Sequence, residues 1–244
     1  MTTRTTAIVT GGSRGIGAAI SERLAADGYA VAINYMGNRA AAQGVVERIV
    51  AAGGSAAAIQ ADIRDPTAAA RLIAEAGELG PLSVLVNNGG ISGTVGRHDD
   101  KSDADLRDLV ETNVLGLLVT CREAVRVMST AHGGAGGSIV NIASVAARTG
   151  GLPGLAAYAA TKGAVVTFSR GLSTEVAGEG IRVNSVSPGT IETDMTTDAI
   201  RKAGQGAPIG RLGRPVEIAG AVAWLVSPNA AFVTGTDVTV SGGR

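Results

Sequence analysis

One cysteine stands in the 244 residues, Cys121. No disulfide within the chain is therefore possible, and no cysteine spacing of the metal-binding kind exists. Its neighbours Leu117, Leu118 and Val125 point to a buried, inert thiol. Histidine is equally scarce. His98 and His132 fall in polar or glycine-rich connections without a second ligand at metal spacing, so no metal site is expected. Aromatic residues make up only 2% of the chain, and the core must be built from Ala, Val, Ile and Leu. Neither sign of charge is in excess, with 21 Lys+Arg against 21 Asp+Glu and no run of basic residues. That balance argues against a nucleic-acid partner or an anionic membrane surface. No apolar run approaches the roughly 18 residues needed to cross a bilayer. The segment before the first apolar run lacks the hydrophobic stretch of a signal peptide. A cytoplasmic protein is the expectation.

Glycine, by contrast, is abundant. The chain has 36, about twice the usual share of roughly 7%, as expected where many strands turn sharply into helices. Strand-like runs at 5–10, 29–34, 55–60, 82–87, 137–142, 181–186 and 237–240 alternate with helical patterns near 15–27, 38–52, 67–78, 103–130, 157–178 and 215–227. Runs such as Val31-Ala32-Ile33 and Val84-Leu85-Val86 are continuously apolar, as strands buried on both faces should be. The alternation predicts an α/β fold, a doubly wound seven-stranded parallel sheet with helices on both faces, in a single domain spanning 1–244. Ligands of such sheets bind beyond the carboxyl ends of the strands.

The residues able to do chemistry fall at those ends. Ile8-Val9-Thr10-Gly11-Gly12-Ser13-Arg14-Gly15-Ile16-Gly17 runs from a strand through a glycine turn into a helix. Glycines let backbone approach a phosphate, and the helix N-terminus offers it unpaired N–H groups. Tyr158 and Lys162 lie one helical turn apart on one face, with Ser144 upstream after the fifth strand. A cation beside a phenol favours its ionised form, which would bring Tyr158 below its ordinary value of ~10. With the Ser144 hydroxyl, the pair makes a proton donor and acceptor for a carbonyl–alcohol couple. Asn113 sits among Leu109, Val110, Val114 and Leu117, where a buried amide left unpaired would be costly.

With Asn87-Asn88-Gly89-Gly90 after the fourth strand and Pro188-Gly189 followed by Thr193 after the sixth, these marks resemble a classical short-chain dehydrogenase/reductase along the whole chain. The one departure is Gly89, where the family usually has Ala. The resemblance implies a single Rossmann-fold domain and an NAD(P)-dependent oxidoreductase acting on small carbonyls or secondary alcohols. It implies Tyr158 as general acid/base, Ser144 on the substrate oxygen, Lys162 lowering the phenol's pKa and bonding the nicotinamide ribose, and Asn113 holding a relay water. Cofactor contacts are implied for Gly11, Ser13, Arg14, Gly15, Ile16 and Gly17 in the turn, and for Asn34, Tyr35 and Asn38 beyond the second strand. They are implied also for Asp62 (on the adenine) and Ile63, for Asn88 and Gly89, for Tyr158 and Lys162, and for Pro188, Gly189, Ile191 and Thr193, the last on the nicotinamide carboxamide. A homotetramer is implied too, with small or apolar residues Ala124, Gly163, Ala164, Val166 and Gly171 letting helices of two subunits meet.

The NAD-selecting acid is expected about 20 residues past the glycine turn. That position is Tyr35, and Ile33 to Arg39 contains no acid. NADP(H) is therefore expected in preference to NAD(H), with Arg14 and Arg39 on the 2′-phosphate and Asn34 and Asn38 adding neutral bonds. Other readings are a 3-oxoacyl-carrier-protein reductase, a sugar or polyol dehydrogenase, or a catalytically silent nucleotide-binding regulator. The stretches Met128–Gly137 and Leu172–Val176, where a carrier would dock, lack Lys and Arg. Segments 91–103, 146–156 and 192–210 are expected around the substrate, with Ile91, Val95, Leu152, Leu155 and Met195 as walls. Gly150, Gly151, Gly154, Gly204, Gly206 and Gly210 suggest mobile loops there.

Overall fold

A computed structural model describes residues 4–193 and 207–244. Seven strands form one parallel sheet in the order β3-β2-β1-β4-β5-β6-β7. They are β1 (Thr6–Thr10), β2 (Ala30–Tyr35), β3 (Ser55–Gln60), β4 (Leu82–Asn87), β5 (Gly137–Ile142), β6 (Ile181–Pro188) and β7 (Asp237–Val240). The helices between them are α1 (Gly15–Ala26), α2 (Arg39–Ala51), α3 (Pro66–Gly77), α4 (Asp103–Val110), α5 (Gly116–Met128), the short α6 (Ala146–Thr149), α7 (Ala156–Val176) and α8 (Pro215–Val226). Their starts are written locally: Asn38 and Asp65 cap α2 and α3 by accepting from Ala41 N at 2.9 Å and Thr67 N at 2.8 Å.

Alternate strand residues divide the core in two, as the two-residue strand period requires. Val9, Ile33, Val86 and Val140 meet Ile20 and Leu24 of α1 and Ile218, Val222 and Leu225 of α8. Ile8, Leu85, Ile139 and Val183 turn the other way, onto Leu72 of α3, Leu117 and Met128 of α5 and Val165 of α7. Each such aliphatic side chain contributes roughly 1.5–3 kcal/mol when fully buried, which is how a chain so poor in aromatics holds its layers together. Ala124, expected on an outer face, is fully buried in this second core.

The expected strands and helices stand within about two residues of their observed ends, with one exception. The helix expected over 103–130 is interrupted by a π turn at Glu111–Leu115, which separates α4 from α5. Strand order reverses at β1, whose neighbours are β2 on one side and β4 on the other. The crevice beyond these strands is where a doubly wound sheet takes its ligand.

Candidate active site

The glycine turn leaves β1 with Gly11 at φ +60° and Gly15 at φ +53°, a region that glycine enters without steric cost. A methyl on Gly17 would lie 2.2 Å from the Gly11 carbonyl oxygen and 2.6 Å from Asn88 Nδ2, so helix and turn touch backbone to backbone. Asn88 stitches the turn to the end of β4. Its Nδ2 donates to the carbonyls of Thr10 and Gly11, both at 3.1 Å. Thr10 Oγ1 accepts from the N–H groups of Asn88 and Gly89 at 3.0 and 2.9 Å. The first turn of α1 holds no acid, and Arg14 at its cap is exposed. A dinucleotide's pyrophosphate fits this end on geometry and on charge. Thr193 lies across the turn, its Cγ2 3.3 Å from a methyl built on Gly15. Ser13 and Ile16 are half-buried in the turn.

The catalytic candidates converge on the other side of β1. Ser144 follows β5, Tyr158 and Lys162 project from α7, and Asn113 lies in the π turn, an irregularity often found at functional sites. Ser144 Oγ accepts from Ala146 N at 3.1 Å, which sets the hydroxyl beside Tyr158. Burial pushes the Tyr158 phenol above its ordinary range, and the neighbouring Ser144 hydroxyl opposes the shift. The expected depression by Lys162 is absent. The ammonium donates to the Ile142 carbonyl at 2.8 Å and stands 5.8 Å from the centre of the Tyr158 ring. Burial lowers the pKa of Lys162 itself to about 8.

The Asn113 side chain is held by protein partners. Its Oδ1 accepts from Ile91 N at 2.8 Å, and its Nδ2 donates to Ile91 O at 2.8 Å and to Thr161 Oγ1 at 3.1 Å. Both amide hydrogens are spent on protein, so the side chain fixes the stretch after Gly90. Thr161 in turn donates to the Tyr158 carbonyl at 2.7 Å, linking π turn and catalytic helix. A methyl on Gly90 would lie 3.0 Å from Asn113 Oδ1 and 3.6 Å from Lys162 Nζ, which places Gly90 against both.

The three residues expected to meet the cofactor beyond β2 have partners within the protein. Asn34 is buried, with Nδ2 donating to Ala61 O at 2.9 Å and Oδ1 facing Gly11 N at 3.4 Å. Tyr35 is 6% exposed and packs in the core. Asn38 caps α2 through its Oδ1. Asn34 and Tyr35 are buried, whereas Asn38, Arg14 and Arg39 are exposed. Asp62 does stand beyond β3 at the carboxyl edge, and Ile63 is buried against Gly89 and Gly116. Pro188 accepts from Val145 N at 3.0 Å, and Gly189 N donates to Val240 O at 2.9 Å. Ile191 bridges to Gly213. These contacts brace the loop after β6. Met195, Gly204 and Gly206 lie outside the described residues.

Sequence reasoning missed a buried amide chain beneath the site. Asn87 Nδ2 donates to Asn141 Oδ1 at 2.9 Å, and Asn141 Nδ2 donates to Ser169 Oγ at 2.9 Å. Thr120 Oγ1 donates to Asn87 Oδ1 at 2.8 Å. The chain ties β4, β5, α5 and α7 together under the catalytic side chains. Its signal was an Asn near the end of each of two apolar strands, a costly residue unless partnered. Cys121 sits in the same network, and burial pushes its thiol up to about 12, so it is no nucleophile at neutral pH. Among the described residues no group of acids, histidines and cysteine could hold a metal.

Residues 11–244 match the family model described as enoyl-(acyl carrier protein) reductase. The chain is 43% identical over 244 residues to the uncharacterised oxidoreductase YgfF of Escherichia coli strain K12, covering 98% of this chain and 99% of that protein. It is 38% identical to the 3-oxoacyl-[acyl-carrier-protein] reductase FabG of Staphylococcus aureus, covering 97% and 96%. A short-chain dehydrogenase of Burkholderia cenocepacia, solved with NADP, superposes with a TM-score of 0.91 at 38% identity, covering 98% and 97%. The chain belongs to the short-chain dehydrogenase/reductase family and is an NAD(P)-dependent oxidoreductase.

Proposed function

We propose that this enzyme interconverts small ketones and secondary alcohols with NADP(H) in preference to NAD(H), with Tyr158 as general acid/base. The observation that carries the reading is the convergence of the Tyr158 phenol, the Ser144 hydroxyl and a buried Lys162 whose Nζ stands 5.8 Å from the centre of the phenol ring. When bound, the nicotinamide supplies or accepts the hydride. Tyr158 gives its phenolic proton to the developing alkoxide in reduction and takes it back in oxidation. Ser144 holds the substrate oxygen within reach of that proton. Lys162 supplies positive charge behind the phenol and, turned from Ile142, a donor for the ribose. Asn113 holds Ile91 and Thr161 in register with them. A catalytically silent regulator would have no use for this proton-transfer set.

The NADP(H) preference is supported by exposed Arg14 and Arg39 and by the absence of acid from Ile33 to Arg39. A Burkholderia relative was solved with NADP, which supports a cofactor of this kind. For the substrate, Val95 and Leu152 present apolar surface, 65% and 39% exposed, on two segments joined by Gly96 N donating to Gly154 O at 3.3 Å. A small, largely apolar ketone suits that mouth. Reduction of a 3-oxoacyl carrier thioester is the second reading, favoured by likeness to FabG. The reading includes a homotetramer in the cytoplasm. Its support is exposed Ala164 and the open space beside Gly171 on α7, together with the lack of any helix long and apolar enough to cross a membrane among the described residues.

The test is NADPH and NADH oxidation with a panel of aliphatic ketones, sugars and a 3-oxoacyl carrier thioester. Ketones should give the highest kcat/KM, with NADPH favoured. Arg14→Ala should cut kcat/KM for NADPH about tenfold, as loss of a partly exposed charge-assisted contact would. It should leave NADH use nearly unchanged. Equal use of NADH by the wild type contradicts the cofactor preference, and inactivity on every carbonyl contradicts the reading itself.

A further inference from the structure

At the carboxyl edge opposite Tyr158, Asp62 stands in a charge cluster whose other members, Arg64 and Asp108, have no part in the proposed reaction. Asp62 Oδ1 accepts from the backbone N–H of Arg64 at 3.0 Å. Arg64 Nε donates to both Asp62 oxygens at 3.0 Å, and Nη2 donates to Oδ2 at 2.7 Å. Arg64 Nη1 reaches Asp108 Oδ1 of α4 at 2.6 Å. Nη2 also lies 3.9 Å from Met36 Sδ, just beyond β2. One guanidinium thus joins groups beyond β2, beyond β3 and on α4. The Arg64 hydrogen bonds hold the Asp62 carboxyl below its ordinary range.

Strand order fixes what faces this cluster. Ser144 follows β5, on one side of β1, and the glycine turn of β1 takes the pyrophosphate. The half of the dinucleotide away from the nicotinamide must then extend over β2 and β3, where Asp62 stands. A carboxylate has about four lone-pair sites, and three N–H donors from Arg64 leave about one. An adenine amino group can donate to it. Hypoxanthine carries a carbonyl at the same ring position and would set acceptor against acceptor. Arg64 itself is spent on two carboxylates, which leaves a 2′-phosphate to other arginines.

We propose that Arg64 is a positioning residue for the purine of the cofactor: it locks the Asp62 carboxylate in one orientation, braced on Asp108, so that the enzyme selects adenine over hypoxanthine. The inference rests on the NADP(H) reading above. Without Arg64, a carboxylate more than a third exposed would rotate into water and discriminate weakly.

The experiment compares KM and kcat for NADPH and for its reduced hypoxanthine analogue with one ketone. The proteins are wild type, Arg64→Ala, Arg64→Lys, Asp108→Asn and Asp62→Ala, with a thermal melt of each. Wild type should favour NADPH at least about tenfold in kcat/KM, the scale of a hydrogen bond to a charged acceptor. The difference should lie in KM. Arg64→Ala and Asp62→Ala should bring the two cofactors within about threefold of each other. Arg64→Lys and Asp108→Asn should restore or retain part of the ratio, and serve alone should the alanine variant not fold. A ratio unchanged in Arg64→Ala, even with a lower melting temperature, would overturn the proposal. So would a wild type indifferent to the purine, or an Arg64→Ala that loses only the NADPH-over-NADH preference. An enzyme that oxidises neither NADPH nor NADH would sink the underlying reading instead.

Discussion

Lys162 is the residue whose physical state most constrains the reaction. The residue is 5% exposed, its ammonium has a single carbonyl partner, and burial lowers its pKa to about 8 against an ordinary 10.5. A lowered amine is charged below the shifted value and neutral above it. Tyr158 is shifted the other way, so the phenol stays protonated across the neutral range. Reduction needs both protons in place, the acid on Tyr158 and the positive charge behind it. The kcat/KM for ketone reduction should therefore hold at neutral pH and fall as pH rises through about 8. A profile measured with saturating NADPH checks this, and Lys162→Met should be slower and lack the break near 8. A wild-type rate flat to well above that value would show that Lys162 does not govern the step. The same shift acts on stability with a definite sign. Above about 8 the unfolded chain binds more protons at this position than the folded one, so the cost of burying the charge is relieved as pH rises from there.

Among the elements, the junction of β1, the glycine turn and α1 is the tightest part of the site, and two glycines measure it. Gly17→Ala drives a methyl to 2.2 Å from the Gly11 carbonyl, which only movement of the turn can relieve. A loss of about 3 kcal/mol, with at least tenfold weaker NADPH binding, is expected. Gly89→Ala should be mild. Its methyl meets Thr10 Oγ1 at 3.3 Å and Ile63 Cδ1 at 3.4 Å, and Gly89 is absent from the positive-φ glycines. The stiffer unfolded chain offsets the crowding, and stability should stay within about 1 kcal/mol of wild type. Denaturant melts and NADPH titration of the two variants check the pair. A Gly17→Ala protein as stable as wild type would contradict the packing described.

This junction was legible because strand, glycines and helix follow one another without a break. Other elements were less so. A π turn adds a residue while apolar spacing continues on either side, so nothing in the sequence from 103 to 130 marked the irregularity at Asn113. β2 is buried on both faces, and a continuous apolar run does not say which side chain points into the core. The burial of Tyr35 and Asn34 was therefore not legible there. The partner of Lys162 is a carbonyl twenty positions away, on another element, which helical spacing to Tyr158 could not reveal.

Across the whole molecule, one strand order separates two tasks. In the proposed function, hydride and proton chemistry belongs beyond β4, β5 and β6, where Ser144, Tyr158, Lys162 and Asn113 converge, and the purine end belongs over β2 and β3, beside Asp62 and Arg64. The glycine turn after β1 spans the two, and the buried chain of Asn87, Asn141 and Ser169 keeps the catalytic side rigid beneath. The account stands on proton transfer by the Tyr158 hydroxyl. Tyr158→Phe keeps the ring and its packing and removes that proton. Turnover of a ketone under saturating NADPH should fall by at least the roughly 10²–10⁴ that general acid–base catalysis contributes, with NADPH affinity nearly intact. A variant that keeps more than about a tenth of wild-type turnover would contradict it.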